Sequence, residues 1–223
     1  MLINTDASLK VCEIFTSIQG ESSYAGVPCA FVRLTGCNLR CRYCDTVYAY
    51  SGGYELTIAE IIVEVQKSGI KLVEITGGEP LLQENSASLI DALIAEGNTV
   101  LIETNGSISL EVLGKRTDNP VTVIMDIKTP ASGMSAHNDF LNFDLLLPHD
   151  EIKFVLSDEN DYVWAVDLIK TYELSQKCRI LFSAETSFLS HETLASWIIR
   201  DALPVRLNVQ LHKYIFTGDM RGR

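Results

Sequence analysis

The chain has 223 residues, 47% of them hydrophobic, and a formal net charge of -11. A chain of this length is most simply one domain with a sizeable core. The negative charge argues against a nucleic-acid-binding surface, because phosphate binding requires clustered Lys and Arg. No apolar run reaches the about 18 residues that a membrane helix needs, and no secretory segment follows Met1. We therefore expect a cytoplasmic protein that binds neither nucleic acid nor membrane.

Short apolar runs alternate with helix-like segments from residue 29 onward, which is typical of βα units around a parallel sheet. An additional N-terminal strand is predicted at 10–18, before a polar loop. The other predicted strands are 30–34, 72–76, 100–103, 122–127, 152–156, 179–183 and 206–211. The predicted helices are 58–67, 87–96, 162–172 and 192–201, with Thr57 and Glu60 in capping-box spacing and Ser190 as a cap. About six units are fewer than the eight of a closed barrel.

Cys37, Cys41 and Cys44 form a C-x3-C-x2-C motif that offers three thiolates, and no evident fourth, to a metal centre. Iron–sulfur clusters usually have four protein ligands, so three would leave one iron open for chemistry. A zinc site or a redox thiol cluster is the alternative. The remaining cysteines have apolar surroundings and are predicted to be small buried hydrophobic residues, a fourth-ligand role for one being the alternative; they are Cys12, Cys29 and Cys178.

Polar motifs follow three of the predicted strands. They are Thr76, Gly77, Gly78 and Glu79, then Glu103 and Asn105, then Asp126 and Lys128. Barrel enzymes build their active sites at the C-terminal ends of strands, so these motifs should converge with the cysteine loop on one cavity. Ordinary strand-end turns are the alternative, and for Asp126 with Lys128 a surface ion pair.

The cysteine motif and the Gly-Gly-Glu-Pro stretch together resemble the radical S-adenosylmethionine (SAM) superfamily. The resemblance implies an α/β fold, a partial, laterally open (β/α) TIM-like barrel, and a [4Fe-4S] cluster on Cys37, Cys41 and Cys44. It also implies cleavage of SAM to a 5′-deoxyadenosyl radical, so no protein residue is assigned as catalytic. The implied SAM-binding residues are Tyr43, Cys44, Asp45, Gly77, Gly78, Glu79, Glu103, Asn105, Asp126 and Lys128.

Residues 13–21, 31–39, 44–46 and 210–214 resemble more narrowly the 7-carboxy-7-deazaguanine synthase family, over nearly the whole chain. This implies conversion of 6-carboxy-5,6,7,8-tetrahydropterin to 7-carboxy-7-deazaguanine with loss of ammonia, a step of queuosine and 7-deazapurine biosynthesis that begins with hydrogen abstraction at C6. The implied substrate-binding residues are Ile18, Gln19, Gly20, Glu21, Arg33, Thr76 and His212. The alternatives are a glycyl-radical-activating enzyme and an iron–sulfur electron carrier.

Three of the implied roles have a structural alternative. Thr46 matches the position that binds Mg²⁺ in the family, but it could simply start a helix. Arg33 could pair with a structural acid, and His212, expected on a strand, could be a satisfied core histidine.

The resemblance also implies a homodimer. Arg40 and Arg42 are basic residues near the cluster in an acidic chain, and they predict docking of an acidic electron donor such as flavodoxin. The expected division of the single domain is 1–28 for the N-terminal strand and substrate loop, 29–211 for the partial barrel and 212–223 for a C-terminal extension. In some relatives the terminal carboxylate approaches the substrate. The extension, which carries Arg221 and Arg223, makes that contact unexpected here.

Overall fold

The computed structural model describes residues 4–114, 121–216 and 221–222. Within them nine strands form one sheet. They are β1 (Ser8–Ile18), β2 (Pro28–Leu34), β3 (Tyr54–Thr57), β4 (Leu72–Gly77), β5 (Thr99–Thr104), β6 (Val121–Ile127), β7 (Glu151–Leu156), β8 (Arg179–Ala184) and β9 (Arg206–Leu207). Arg223 and part of the predicted extension lie outside the described residues.

The strands lie in the order β3-β1-β2-β4-β5-β6-β7-β8-β9. From β2 to β9 neighbouring strands are parallel, whereas β1 runs antiparallel to both β2 and β3. The two edge strands, β3 and β9, are not paired with each other, so the barrel is laterally open. The predicted partial barrel is therefore confirmed, with β3 as a short strand that the sequence prediction missed.

Helices cover the outer face of this sheet. Among the described residues they are α1 (Ile58–Gln66), α2 (Ser86–Ala95), α3 (Glu159–Thr171), α4 (Leu174–Lys177), α5 (His191–Arg200) and α6 (His212–Ile215). Helix α1 begins at the predicted capping box, in which Thr57 Oγ1 accepts from Glu60 N and the Glu60 carboxylate accepts from Thr57 N. Ser190 caps α5 as predicted. None of the described helices combines the length and the apolar character that crossing a bilayer requires.

The end of the barrel wall differs from the prediction. Strand β9 stops at Leu207 rather than at residue 211, because the next polar side chains bind other partners: Asn208 Nδ2 donates to Ser183, and Gln210 Nε2 to Glu21. His212 consequently lies in the short helix α6 and not on a strand. This change carries the histidine from the sheet to the open side of the barrel, beside Gly20.

The inside of the barrel has an apolar floor at the N-terminal ends of the strands. It consists of Cys29, Phe31, Leu72, Leu101 and Ile124. The loop after β1 covers the same end, because Ser22 N donates to Asn208 Oδ1 and Ser23 N to the Glu151 carboxylate. A loop held at the floor and a cysteine loop at the opposite end of β2 leave a cavity between them.

Candidate active site

A cavity of about 260 Å³ occupies the barrel. With one exception, Glu79, every site residue predicted from the sequence lines it. The lining includes the cysteine loop at one end and the Gln19–Glu21 segment at the other. The predicted convergence of strand-end motifs is therefore observed. If these motifs were only ordinary strand-end turns, there would be no reason for all four of them to line one cavity.

The three motif cysteines lie on the wall of this cavity as free thiols. Leu39 N lies 3.4 Å from Cys37 Sγ, and Asn105 Nδ2 lies 3.9 Å from the same sulfur. Burial raises the pKa of Cys37 and Cys41, so thiolates here require a compensating cation such as a metal. In the part of the chain that the structure describes, no fourth cysteine lines the cavity. Cys29 and Cys178 are buried, as predicted, and Cys12 is half-buried.

The glycine pair after β4 packs against the start of the cysteine loop. Gly77 has φ +139°, and a Cβ there would collide with the Leu34 carbonyl oxygen. A Cβ on Gly78 would meet the Gly36 carbonyl oxygen and Cys37 Cβ. The missing side chains therefore let β4 and the cysteine loop approach each other, and both glycines also face the cavity.

Glu79 is placed differently from the prediction that it contacts a cofactor ammonium group. Its side chain is fully buried and does not line the cavity. The carboxylate accepts hydrogen bonds from Leu81 N at 2.9 Å, Asn105 N at 2.6 Å and Thr104 Oγ1 at 2.9 Å. Four donor contacts fill its lone pairs, so the observed role is to join the turn after β4 to the end of β5.

Replacing Glu79 with glutamine should lower the free energy of unfolding by about 1–3 kcal/mol, because an amide NH₂ would then face backbone N–H donors. Chemical denaturation measures the change. Glu111→Gln, at an exposed position, is the matched control and should change stability little. An unchanged stability in Glu79→Gln would contradict the assigned clamp.

Asp126 and Lys128 form an ion pair, with 2.9 Å between Oδ2 and Nζ. Their side chains are only 12% and 13% exposed, so the pair belongs to the cavity wall and not to the surface. Burial would lower the pKa of Lys128, but Asp126 and Cys41 outweigh it and raise the pKa. Asp126 Oδ1 is buried without a hydrogen-bond partner, which leaves an acceptor available to a bound hydroxyl or amine.

At the other end of the cavity, Gln19, Gly20 and Glu21 form the polar floor. The His212 ring packs directly on Gly20, where a Cβ would collide with it, and Leu211 N donates to Gly20 O at 2.8 Å. Burial lowers the pKa of His212 and outweighs the attraction of Glu21, which would raise it. The lowered pKa favours a neutral imidazole. The floor is therefore tied to the C-terminal segment.

Arg33 pairs with an acid, as its structural alternative expects, and it also lines the cavity. Its Nε donates to Glu13 Oε1 at 2.8 Å, and the guanidinium lies 5.5 Å from the Phe15 ring centroid. Tyr48 Oη donates to the same Glu13 oxygen. The pairing fixes the guanidinium at the cavity wall, while its terminal nitrogens carry the donors suited to a carboxylate.

Thr46 and Asp45 lie at the mouth of the cavity, where Thr46 Oγ1 donates to Asp45 Oδ1 at 2.9 Å. The short 3-10 segment Val47–Ala49 follows, but the Thr46 side chain makes no cap bond to it. The Thr46 hydroxyl therefore does not cap the start of a helix, which was the structural alternative for this residue. Lys213 Nζ lies 3.6 Å from Asp45 Oδ2 and links the cysteine loop to α6.

The sequence prediction missed two buried charged residues of the cavity, Lys153 and Glu74. Lys153, on β7, is 5% exposed; its Nζ lies 2.9 Å from Glu21 Oε2, 3.6 Å from Asp126 Oδ2 and in contact with Glu103. Both residues alternate with apolar residues on their strands, which is the signal for side chains that point into a barrel. Lys153 thus joins carboxylates from both ends of the cavity.

Glu21 should make stability depend on pH. Burial would raise its pKa, but Lys153 and Gln210 outweigh burial and lower it to about 2 from 4.5. A lowered carboxyl pKa contributes stability above pH 4.5 that is lost as the pH falls toward 2. We expect the stability difference between wild type and Glu21→Gln to shrink by up to about 3 kcal/mol over that interval in urea titrations. A difference independent of pH would contradict the assignment.

Comparison with known proteins relates this geometry to a family. The model of the radical SAM superfamily matches residues 31–171. The 7-carboxy-7-deazaguanine synthase of Chlorobaculum tepidum is 47% identical over 223 residues, which cover 99% of this chain and 100% of that protein. The synthase of Koribacter versatilis is 43% identical, covering 96% of this chain and 100% of that protein. This chain belongs to the 7-carboxy-7-deazaguanine synthase family.

A solved structure agrees with this membership at the level of the fold. The crystal structure of QueE from Escherichia coli superposes with a TM-score of 0.73, covering 92% of this chain and 95% of that chain at 22% identity. The shared fold is the open barrel that positions the cysteine loop at the C-terminal ends of the strands.

Family membership implies a [4Fe-4S] cluster and SAM, and the residues of the cavity fit both. Three free thiols face the cavity, and Asp126 Oδ1 offers an unpaired acceptor beside them. A cluster in which each thiolate binds a different iron uses all three thiols, and family membership favours it over the zinc alternative.

Proposed function

We propose that this chain converts 6-carboxy-5,6,7,8-tetrahydropterin to 7-carboxy-7-deazaguanine with loss of ammonia, in queuosine or another 7-deazapurine pathway. The observation that carries the proposal is one cavity that joins three free cysteines to an arginine and a polar floor. When bound, the reduced cluster and SAM supply the hydrogen-atom abstraction that starts the ring contraction. The protein's part is to bind, orient and shield the substrate.

The substrate is proposed to lie between Arg33 and the floor. Arg33, held by Glu13, pairs its terminal nitrogens with the substrate carboxylate. The heterocycle then reaches Ile18, Gln19, Gly20 and Glu21, with Thr76 on one wall and His212 closing the open side. The apolar floor below and α6 at the side limit the entry of water.

SAM is proposed to lie on the cysteine side of the cavity. Gly77 and Gly78 line the cavity beside the cysteine loop, where its methionine part would meet the backbone at the end of β4. The acceptors Glu103, Asn105 and Asp126, together with Lys128, suit its amino, carboxylate and ribose groups, while Tyr43, Cys44 and Asp45 form the adjoining wall. The Asp126 oxygen without a partner supports this placement.

The test is anaerobic reconstitution with iron and sulfide, followed by assay with the carboxypterin, SAM and a reductant. We expect formation of 7-carboxy-7-deazaguanine together with ammonia. Cleavage of SAM without turnover of the carboxypterin would favour a glycyl-radical-activating enzyme. Electron transfer without cleavage of SAM would instead indicate an iron–sulfur electron carrier. Either result would overturn the proposal.

We also propose a Mg²⁺ ion at Thr46, bound jointly with the substrate carboxylate. The hydroxyl of Thr46 faces the cavity beside Asp45, and Mg²⁺ prefers such oxygen ligands. Removal of Mg²⁺ is expected to lower kcat/KM for the wild type and to matter little for Thr46→Val. Activity that survives rigorous Mg²⁺ removal in the wild type would contradict this site.

Reduction of the cluster by an acidic donor such as flavodoxin is proposed to use Arg42. Arg40 is committed to the cysteine loop, since its Nη1 donates to the Cys37 and Leu39 carbonyl oxygens and its guanidinium lies 4.3 Å from the Tyr50 centroid. Arg42 is exposed. Arg42→Glu should slow reduction and flatten its salt dependence, whereas Arg206→Glu, exposed on β9, should not. Equal rates of cluster reduction in the two variants would contradict a docking surface at Arg42.

We further propose a homodimer in the cytoplasm. Large apolar side chains exposed on the outer helices and loops support a partner surface; they include Leu141, Phe188 and Ile199. Sedimentation of the reconstituted protein at micromolar concentration should give the dimer mass, and a monomer mass at all concentrations would contradict it.

A further inference from the structure

Glu74 is a carboxylic acid inside an otherwise apolar layer of the barrel. It lies in the middle of β4 and its register partners on the adjacent strands are Phe31 and Leu101. The side chain is 4% exposed and lines the cavity. No role in the cofactor site requires an acid at this depth, because the cysteine loop packs on Gly77 and Gly78 at the C-terminal end of the strand.

One glutamine connects Glu74 to Glu21, whose environment is opposite. Gln19 Nε2 donates to Glu74 Oε2, and Gln19 Oε1 accepts from Glu21 N at 3.0 Å. The Glu21 carboxylate is paired with Lys153 and with the amides of Gln210 and Asn208. Glu74 has no cation within ion-pair distance among the described residues.

The charges around Glu74 favour its neutral form. Burial raises its pKa well above 4.5, and Glu103 of β5 and Glu21 of the loop after β1 raise it further. Lys153 of β7 and Arg33 of β2 oppose the rise without reversing it. The two neighbouring acids therefore favour opposite forms, the ionised carboxylate for Glu21 and the neutral carboxyl for Glu74.

We infer that Glu74 is a specificity-determining residue that binds the lactam edge, the ring N–H and the carbonyl group, of the heterocyclic substrate. A neutral carboxyl has one O–H donor and one carbonyl acceptor, which match the carbonyl and N–H of a lactam. Ionised Glu21 has acceptors alone and suits the amino group of the same ring. This inference rests on the proposed function.

The test uses the anaerobically reconstituted holoenzyme and isothermal titration with 7-carboxy-7-deazaguanine. Glu74→Leu should weaken binding by about 30-fold or more, because two buried hydrogen bonds are lost. Glu74→Gln, whose amide also offers a donor and an acceptor, should recover most of that loss. Affinity for SAM should stay within about twofold in both variants, which a general structural defect would not allow.

A ligand variant locates the contact. For the wild type, the O-methylated lactam analogue should bind about 30-fold more weakly than the unmodified ligand. For Glu74→Leu, the two ligands should bind equally well, because the hydrogen bonds that methylation removes are already missing. Glu192→Leu, at an exposed site on α5, is the control. The inference would be overturned if Glu74→Gln bound the ligand as weakly as Glu74→Leu. It would also be overturned if the affinity losses from Glu74→Leu and from O-methylation were additive.

Failure of the proposed function is distinguishable from failure of this inference. A wild-type enzyme that neither turns over the carboxypterin nor binds the product overturns both. A wild-type enzyme that does both, with Glu74→Leu equally active and equally tight in binding, overturns only the assignment of Glu74.

Discussion

Replacing Cys41 with alanine is expected to abolish reductive cleavage of SAM and all formation of 7-carboxy-7-deazaguanine. We propose the three thiols of the cavity as the protein's ligands for the cluster, and among the described residues no fourth cysteine lines the cavity to replace one of them. Loss of one of three ligands should leave a cluster that is incomplete or absent. Iron analysis, absorption spectra and SAM-cleavage assays measure the effect.

Cys178→Ala provides the matched control for this prediction. Cys178 is buried among apolar residues away from the cavity, and its thiol should act only in packing. That variant should bind the same amount of iron as the wild type and cleave SAM at a similar rate. Full activity in Cys41→Ala, or loss of iron in Cys178→Ala, would refute the ligand assignment.

Replacing Lys153 with methionine is expected to lower the free energy of unfolding by about 3–5 kcal/mol, the usual cost of leaving buried charges without their partner. Lys153 is 5% exposed and contacts Glu21, Glu103 and Asp126. Without it the carboxylates repel one another across the cavity. The same variant should lose most of its affinity for substrate, because Glu21 would no longer be held at the floor.

The pH dependence distinguishes lost charge from lost packing. Lys153 lowers the pKa of Glu21, so without it the Glu21 carboxylate can protonate as the pH falls and relieve part of the repulsion. The destabilisation should therefore be largest near neutral pH and shrink as the pH falls toward 4.5, the ordinary pKa of a glutamate.

Lys213→Met, which removes an exposed contact 3.6 Å from Asp45, should cost less than about 1 kcal/mol. Equal losses in both variants would contradict the central placement of Lys153.

Local motifs were predictable from sequence, since the cysteine loop, the glycine pair and the residues after β5 and β6 each stand at a strand end. Their convergence follows from the parallel arrangement of strands. The contacts of Glu79 were not predictable, because its three donors come from two separate turns and the spacing of neither turn encodes them.

Long-range side-chain partners explain the remaining differences. Glu74 and Lys153 stand within apolar runs, where alternation alone marks them as inward-facing and does not say what they meet. The end of β9 looked like a strand from residues 206–211. The amides of Asn208 and Gln210 bind Ser183 and Glu21 instead, and His212 then starts a helix.

Three cysteines of this cavity should hold a cluster with one iron open to SAM. Mössbauer spectroscopy of the anaerobically reconstituted enzyme, recorded with and without SAM, tests it most directly. We expect a [4Fe-4S] cluster in which the signal of a single iron changes on addition of SAM. Zinc in place of iron, or four equivalent irons that do not respond to SAM, would contradict it.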